Sequence, residues 1–396
     1  MSVSVVIFCA WIQKNIMIDR KKKRVKKKKI VVLSSHTPSL FWFRMEMMSE
    51  FRKRGYQVIA LADGDEKLWR ERFRDRGIQY RSISVKRNGM NPFYDIGTFF
   101  SIFLWLRRIR PEKIFVYQAK TIIYGCIAAR CLGIREIYPM ISGIGSLFLS
   151  DSTKINFVRK LMMMGYKVSL NNAKTIFFQN NDDYSLFFEK KLINRSQSFR
   201  MIPGSGVNLR RFSVRRLPQK VVFICISRLI RDKGIFEYLE ACKKIKVEYP
   251  DIRCLLVGPF DSNPFSLQMP QLRPYIEQEV IGYYGECEDV RPYLWQSSVF
   301  VLPSYREGTP KVILEAMACG RAVITTDAPG CRETVVDGEN GYLVPVKDVN
   351  AIVKKMEIFC EHPELIEKMG KNGRLFAEEK FDVDIVDRII CETMRL

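Results

Sequence analysis

The chain has 396 residues, 47 % of them hydrophobic, and a formal net charge of +22 at pH 7. That length and composition suit two globular domains, each with its own core, and no apolar run reaches the ~20 residues that a bilayer-spanning helix needs. Eleven cysteines include no C-x-x-C pair, and the two histidines, His36 and His362, lie far apart. This argues against a zinc site and for cysteines such as Cys225, Cys254 and Cys319 as small core hydrophobes in a reducing compartment.

The elements follow in chain order. Residues 3–12 are apolar but short, and their charges follow rather than precede them, the wrong order for a secretory signal. Residues 20–29 read RKKKRVKKKK, and residues 1–29 carry a net charge of +9. Such a segment can bury nothing, so residues 1–28 are expected to be a disordered basic extension. From residue 29 short apolar runs alternate with helical periodicity. Strands are predicted at 29–33, 58–61, 79–83, 113–116 and 137–140, and helices at 40–54, 68–75, 95–108 and 122–131. This alternation implies a parallel sheet covered on both faces. Residues 203–206 (PGSG) interrupt it, and 210–219 is charged and aperiodic, which reads as a linker. The pattern then restarts, with strands at 221–226, 253–257, 299–302 and 322–325 and helices at 237–246, 310–319 and 349–360. The expected division is a first domain over 29–212 and a second over 219–380. Two doubly wound α/β units in tandem place a cleft between them, at the carboxyl ends of the strands.

The two halves differ in charge. Residues 30–218 carry +18 and residues 219–396 carry −5. The basic half favours a polyanionic partner, either membrane phosphates or nucleic acid.

Two motifs carry chemistry. The first is Glu307-Gly308-Thr309-Pro310-Lys311, followed by Glu315. It leaves a buried strand and opens a helix, with Thr309 expected at the cap and Pro310 in the first turn. Backbone N–H groups and the helix dipole suit a diphosphate there, and carboxylates at 307 and 315 can accept hydrogen bonds from sugar or ribose hydroxyls. Both are expected in a solvent-lined cleft. The second motif is SRLIRDKG at 227–234, where Arg228 and Lys233 can converge on a diphosphate. Either motif alone is also compatible with a capped helix bearing solvated acids or with an exposed basic loop.

Together with LLVGPFD at 255–261 and VLPSYREGTPKVILEAMACGRAVITTDAPGCRETVVDGENGYLVP at 301–345, these segments resemble the donor domain of the family 4 retaining glycosyltransferases. The E-x7-E spacing of Glu307 and Glu315 is that family's signature. The first half is similar too, in SSHTPSLFWFR at 34–44, SGIGSLF at 142–148 and PGSGVNLRRF at 203–212. The matches look most like bacterial enzymes that extend lipid-linked oligosaccharides for capsule, O-antigen or glycoprotein.

The resemblance implies a GT-B fold: two Rossmann-like domains facing a central cleft, the first (29–212) on the acceptor side and the second (219–380) on the donor side, with a final helix over about 381–396 that packs back on the first. By position it implies Arg228 and Lys233 on the donor diphosphate and Glu315 on the ribose. Glu307 with Gly308, Thr309, Pro310 and Lys311 would hold the transferred sugar, and the base would lie near 285–289. It implies a UDP-linked donor, retention of anomeric configuration, no divalent metal and no further cofactor. It assigns Glu307 and His36 as the catalytic residues and points on the acceptor side to Lys120, Gly143 and Gly145. Many relatives place a histidine just before the fourth helix of the first domain, where this chain has YQAKT at 117–121. Either Lys120 replaces it or that position is an acceptor contact. Expected partners are a nucleotide-sugar, a polyprenyl-diphosphate-linked acceptor and an anionic membrane on the cytoplasmic side, and no nucleic acid is expected. Asp63-Gly64-Asp65 and Asp382-Val383-Asp384 spell D-x-D but read as a turn and a helix start rather than metal sites. The alternatives are a nucleotide-sugar epimerase on the same fold and a non-enzymatic polyanion-binding protein.

Overall fold

In the computed structural model the described residues are 28–85, 92–143, 153–261 and 266–396, with side chains left out at 92–93 and 153–155. Two all-parallel sheets account for the architecture. The first has seven strands: β1 (Lys29–Leu33), β2 (Gln57–Ala62), β3 (Gln79–Ser82), β4 (Lys113–Tyr117), β5 (Glu136–Ile141), β6 (Ile176–Phe178) and β7 (Phe199–Met201). Their order is β3-β2-β1-β4-β5-β6-β7. The second has six: β8 (Val222–Ile226), β9 (Arg253–Val257), β10 (Gly282–Tyr283), β11 (Val299–Leu302), β12 (Ala322–Thr326) and β13 (Gly341–Val344), in the order β10-β9-β8-β11-β12-β13. In both sheets the strand order reverses once, between β1 and β4 and between β8 and β11. A parallel sheet opens a crevice at such a reversal, outside the carboxyl ends of its strands.

The side-chain period of two sorts the first core into two layers. Val31 and Leu33 of β1 face α3 (Pro92–Ile109), α4 (Ala119–Cys131) and α5 (Thr153–Leu170), where Ile102, Leu106, Ile122 and Tyr166 are buried. Ile30 and Val32 face the opposite side, against Leu40, Met48 and Phe51 of α1 (Thr37–Lys53) and Phe73 of α2 (Glu66–Arg74). Strands buried on both faces are apolar along their length, and after the leading Lys29 and Lys113 β1 and β4 are.

The last helix, α13 (Val383–Met394), packs on α1 and buries Val386, Ile390, Cys391 and Met394 in the first half's core. The chain crosses between halves twice, side by side. Val207 N–H donates to the Phe381 carbonyl at 2.8 Å, and Val383 N–H donates to the Val207 carbonyl at 3.0 Å. Val207 and Phe212, assigned from sequence to the first half, bury in the second half's core. A PGSG turn followed by an aperiodic run carries no mark of which core takes the apolar residues between them.

Residues 153–201, for which the periodicity predicts no elements, form α5, β6, α6 (Asn181–Glu189) and β7. β6 and β7 have only three residues each, too few for a period to show. Asp65 caps α2, accepting from Leu68 N–H at 2.8 Å, and Asp382 accepts from Asp384 N–H at 3.1 Å at the start of α13. No described helix is long and apolar enough to cross a membrane.

Candidate functional site

Three loops leave the strand ends around the second reversal: 227–234 after β8, 303–310 after β11, and 327–334 after β12. The first two are joined by the Tyr305 N–H, which donates to the Asp232 carbonyl at 2.9 Å, and by an ion pair of Lys233 with the Glu307 carboxylate. Ser304 Oγ donates to the same carboxylate at 2.9 Å. Both partners of the ion pair are largely buried, so little solvent screens it. Arg228 points its guanidinium at Asp261, with Nη1 to Oδ2 at 2.6 Å. Lys233 and the first glutamate of the E-x7-E pair therefore meet at the ends of β8 and β11, and Arg228, paired with Asp261, stands in the same loop as Lys233.

The Glu307–Gly308 turn is held from both sides. From the second half, Glu307 N–H donates to the Pro329 carbonyl at 2.9 Å. From the first half, Asn180 Nδ2 donates to the carbonyls of Gly308 at 2.8 Å and Glu307 at 3.3 Å. The approach is close enough to demand glycine. A Cβ on Gly308 would lie 2.4 Å from Gln179 Oε1 and 2.6 Å from the Ser142 carbonyl carbon. A Cβ on Gly143, whose φ is +91°, would lie 3.0 Å from Gly308 N. Gly143 thus meets the Glu307–Gly308 turn directly, whereas Gly145 lies outside the described residues.

The helix after this loop, α10 (Lys311–Ala318), begins one residue later than the sequence suggests. Pro310 stands at its cap position with φ −70° and ψ 105°, and no side chain caps the first turn. Thr309 is therefore not the cap. Its hydroxyl turns to the first half and donates to the Gln179 carbonyl at 3.4 Å. The reason is tertiary, because the partner lies across the cleft.

Glu315 is also placed differently from expectation. Its residue is only 7 % exposed, so it does not line open solvent. Burial raises its carboxyl to about 7, against the pull of Lys311 and Arg211 and with some repulsion from Asp289 and Glu46. Lys311 reaches across to the first half, donating to the Trp42 carbonyl at 3.1 Å and lying 5.0 Å over the Phe43 ring. Burial lowers its ammonium, opposed by Glu315 and Glu46. Arg211 stands 5.3 Å over Trp42. Arg44 of α1 donates to Met140 Sδ at 3.2 Å, and burial lifts the Asp387 carboxyl of α13 well above its usual range. Charged groups from α1, α10 and α13 thus meet in one buried layer between the halves.

On the first half, His36 caps α1, its Nδ1 accepting from Ser39 N–H at 3.4 Å, which puts the proton of the neutral ring on Nε2. It sits at the β1–β4 reversal beside Gln118. The Gln118 Oε1 accepts from Ser34 Oγ at 2.9 Å, Ser35 N–H at 2.8 Å and Ser35 Oγ at 2.6 Å. Gln118 has φ +72°, a conformation costly for a side-chain-bearing residue. Lys120 is committed to Asp95 of α3 at 2.8 Å, and both side chains are largely buried. As a stand-in for a cleft histidine it is therefore already neutralised within its own half.

The sequence reading passed over Gln179, Asn180 and Asp183. Asp183 pairs with Arg306 at 2.6 Å across the halves, burial raising its carboxyl while Arg306 opposes the shift. Arg332 reaches Asp182 at 3.2 Å. The run QNNDD at 179–183 does show a helix start in sequence. Nothing local shows that its free faces grip residues 306–308.

Comparison with known proteins agrees with this arrangement. A family model described as Glycosyl transferases group 1 matches residues 208–376, and one described as Glycosyl transferase 4-like matches residues 29–180. The chain is 26 % identical over 372 residues to the N,N'-diacetylbacillosaminyl-diphospho-undecaprenol alpha-1,3-N-acetylgalactosaminyltransferase of Campylobacter jejuni, covering 90 % of this chain and 96 % of that one. It is 31 % identical over 161 residues to the capsular polysaccharide biosynthesis glycosyltransferase CapM of Staphylococcus aureus, covering 41 % and 42 % respectively. Among solved structures, the sucrose-phosphate synthase of Thermosynechococcus elongatus superposes with a TM-score of 0.77 at 18 % identity, over 93 % of this chain and 98 % of that one. HepE of Anabaena in complex with UDP-glucose superposes with a TM-score of 0.73 at 17 % identity, over 93 % and 99 %. With its first half matched by one glycosyltransferase model and its second half by another, and with two parallel Rossmann-like sheets, the chain is a glycosyltransferase of the GT-B fold.

Proposed function

We propose that the enzyme transfers a hexose or N-acetylhexosamine from a UDP-sugar to a polyprenyl-diphosphate-linked saccharide, in bacterial surface-glycan synthesis at the inner face of the cytoplasmic membrane. The observation that carries this is the β8–β11 reversal, where Lys233 of the loop after β8 pairs with Glu307 of the loop after β11, with Arg228 in the same loop as Lys233. Arg228 and Lys233 take the diphosphate, a role for which each now holds a carboxylate. When the bond from the anomeric carbon to the diphosphate oxygen breaks, its electron pair leaves with UDP, and these two cations stabilise the charge. The acceptor hydroxyl bonds the anomeric carbon on the face UDP leaves, and its proton passes to the departing diphosphate. Glu307 orients the sugar, Gly308, Thr309 and Pro310 wall it, and Glu315 receives the ribose hydroxyls. His36 and Gly143 border the acceptor side. The Campylobacter jejuni relative, whose name specifies a diphospho-undecaprenol-linked acceptor, supports the acceptor class. The UDP complexes of HepE support the donor class.

The test is a panel of nucleotide-sugars read by thermal shift, followed by transfer to a short-chain polyprenyl-diphosphate saccharide read by mass spectrometry. A UDP-sugar is expected to raise the melting temperature and give a product one sugar heavier, with the anomeric configuration of the donor. Because two protein cations serve the diphosphate, transfer is expected to persist in excess chelator. Stabilisation by no UDP-sugar, or activity abolished by chelator and restored by Mg²⁺ or Mn²⁺, overturns the reading.

A further inference from the structure

The first half leaves an apolar surface uncovered. Helices α3 and α5 both pack on α4, one on each side. Gly165 brings α5 close, since a Cβ there would lie 2.9 Å from Ile123 Cδ1. Ile102 and Leu106 of α3 and Tyr166 and Leu170 of α5 fill the core beneath. Yet the outward faces are apolar as well. On α3, Ile96, Phe100 and Leu104 recur every four residues. On α5, Phe157, Leu161 and Met164 follow at steps of four and three. All six are 40–64 % exposed. Helices apolar on both faces are not built for water on one of them.

On the described residues of these two helices the exposed charge has one sign. α5 contains no acidic residue, and Lys160 and Lys167 are exposed among its apolar side chains. The only acid of α3, Asp95, is paired with Lys120, and the helix ends in Arg107 and Arg108, both exposed. Large apolar side chains interleaved with cations are the composition of a helix lying in a bilayer interface. A second protein copy would need complementary acids facing these cations.

The position fits as well. In a parallel sheet the helices start at the carboxyl ends of the strands, so α3 and α5 begin at the cleft edge. Ile96 and Phe157 lie in the first turns, on the same edge as Gly143, which touches the donor loop. We propose that the outward faces of α3 and α5 form one membrane-docking surface that seats the acceptor half on anionic lipid at the mouth of the cleft. This rests on the lipid-linked-acceptor reading. It lets the lipid of the acceptor stay in the bilayer while its saccharide enters the crevice.

The test is cosedimentation of the full chain with vesicles of neutral lipid alone and of neutral lipid mixed with anionic phosphatidylglycerol. The variants are Leu104→Asp, Met164→Asp, their double, and Val247→Asp, the last on the 81 % exposed Val247 of the donor half as a control. Wild type is expected to prefer anionic vesicles. The double variant is expected to lose about tenfold or more of its partitioning at a single protein concentration, because each aspartate inserts a charge into the interface. Near 1 M salt, where screening acts beyond ~3 Å, wild type retains the apolar part of its binding and the double variant does not. Val247→Asp binds as wild type, and all variants keep the thermal shift given by a UDP-sugar. Leu104→Ser and Met164→Ser serve if an aspartate variant misfolds. Wild-type partitioning by the double variant overturns the proposal. So does a wild-type dimer that the double variant abolishes with no change in lipid binding. Vesicle binding that depends on these residues, without any transfer to a lipid-linked acceptor, upholds the surface and refutes the acceptor.

Discussion

Glu315 couples stability to pH. Its carboxyl ordinarily titrates near 4.5, and burial in the folded chain raises it to about 7. Below pH 4.5 both states are protonated and the group contributes nothing unfavourable. Between 4.5 and 7 the unfolded chain gives up the proton while the folded chain keeps it, so stability falls as pH rises through this window. The effect approaches about 3 kcal/mol above pH 7, as an upper bound. Asp387, shifted in the same direction, adds to it. Glu315→Gln is therefore expected to raise the melting temperature more at pH 8 than at pH 5, by calorimetry at both, while weakening donor binding. An equal shift at the two pH values contradicts the titration. The Glu307 carboxylate is held by Lys233 and Ser304. Glu307→Gln is expected to lower turnover by about 100-fold, the scale of losing one preorganised electrostatic contact. The circular dichroism spectrum should not change.

Among the elements, the start of α6 governs how the donor loop is held. Asn180 caps that helix by accepting from Asp183 N–H at 2.8 Å, while its amide nitrogen holds the carbonyls of Glu307 and Gly308. The two roles can be separated. Asn180→Ala loses both and is expected to cost about 1–2 kcal/mol by denaturant titration. Asn180→Asp keeps the cap but sets a carboxylate against two carbonyl oxygens. It is expected to recover much of the cap's stability while donor affinity stays weak, measured by calorimetric titration with a UDP-sugar. Gly308→Ala tests the same contact by steric means. Its new methyl must displace either Gln179 or the 142–143 backbone, and a loss of activity larger than the loss of stability is expected.

At the scale of the molecule, α13 ties the donor half to the acceptor half. Truncation before Val383 would uncover the face of α1 that Val386, Ile390, Cys391 and Met394 cover. The first half is expected to lose cooperative unfolding, seen as a broadened or split calorimetric transition. At the other end, residues 1–27 lie outside the described residues. Lys28 does not, since its carbonyl accepts from Gln57 N–H at 2.9 Å. Because the first strand starts at Lys29 and so basic a run can bury nothing, removing 1–27 is expected to leave the fold intact and lower affinity for anionic vesicles in a salt-sensitive way, without altering transfer to a water-soluble acceptor.

The sequence by itself determined most strands and helices outside residues 153–201 and marked the two motifs, 227–234 and 307–315, that follow strands β8 and β11. Strands such as Val222–Ile226 and Val299–Leu302 are continuous apolar runs because both faces of a parallel sheet are covered, and that pattern is local. Residues 227–234 and 307–315 stand directly after such runs, so their place at strand ends is read along the chain. Only the tertiary structure decided what each group faces. Glu315 looks like an acid in open solvent until packing between α1, α10 and α13 buries it and displaces its titration. Lys120 looks available until Asp95, 25 residues earlier, neutralises it. Thr309 looks like a cap until a carbonyl of the other half takes its hydroxyl. Burial, desolvation and charge pairing depend on distances between residues remote in sequence, and no local pattern encodes those distances.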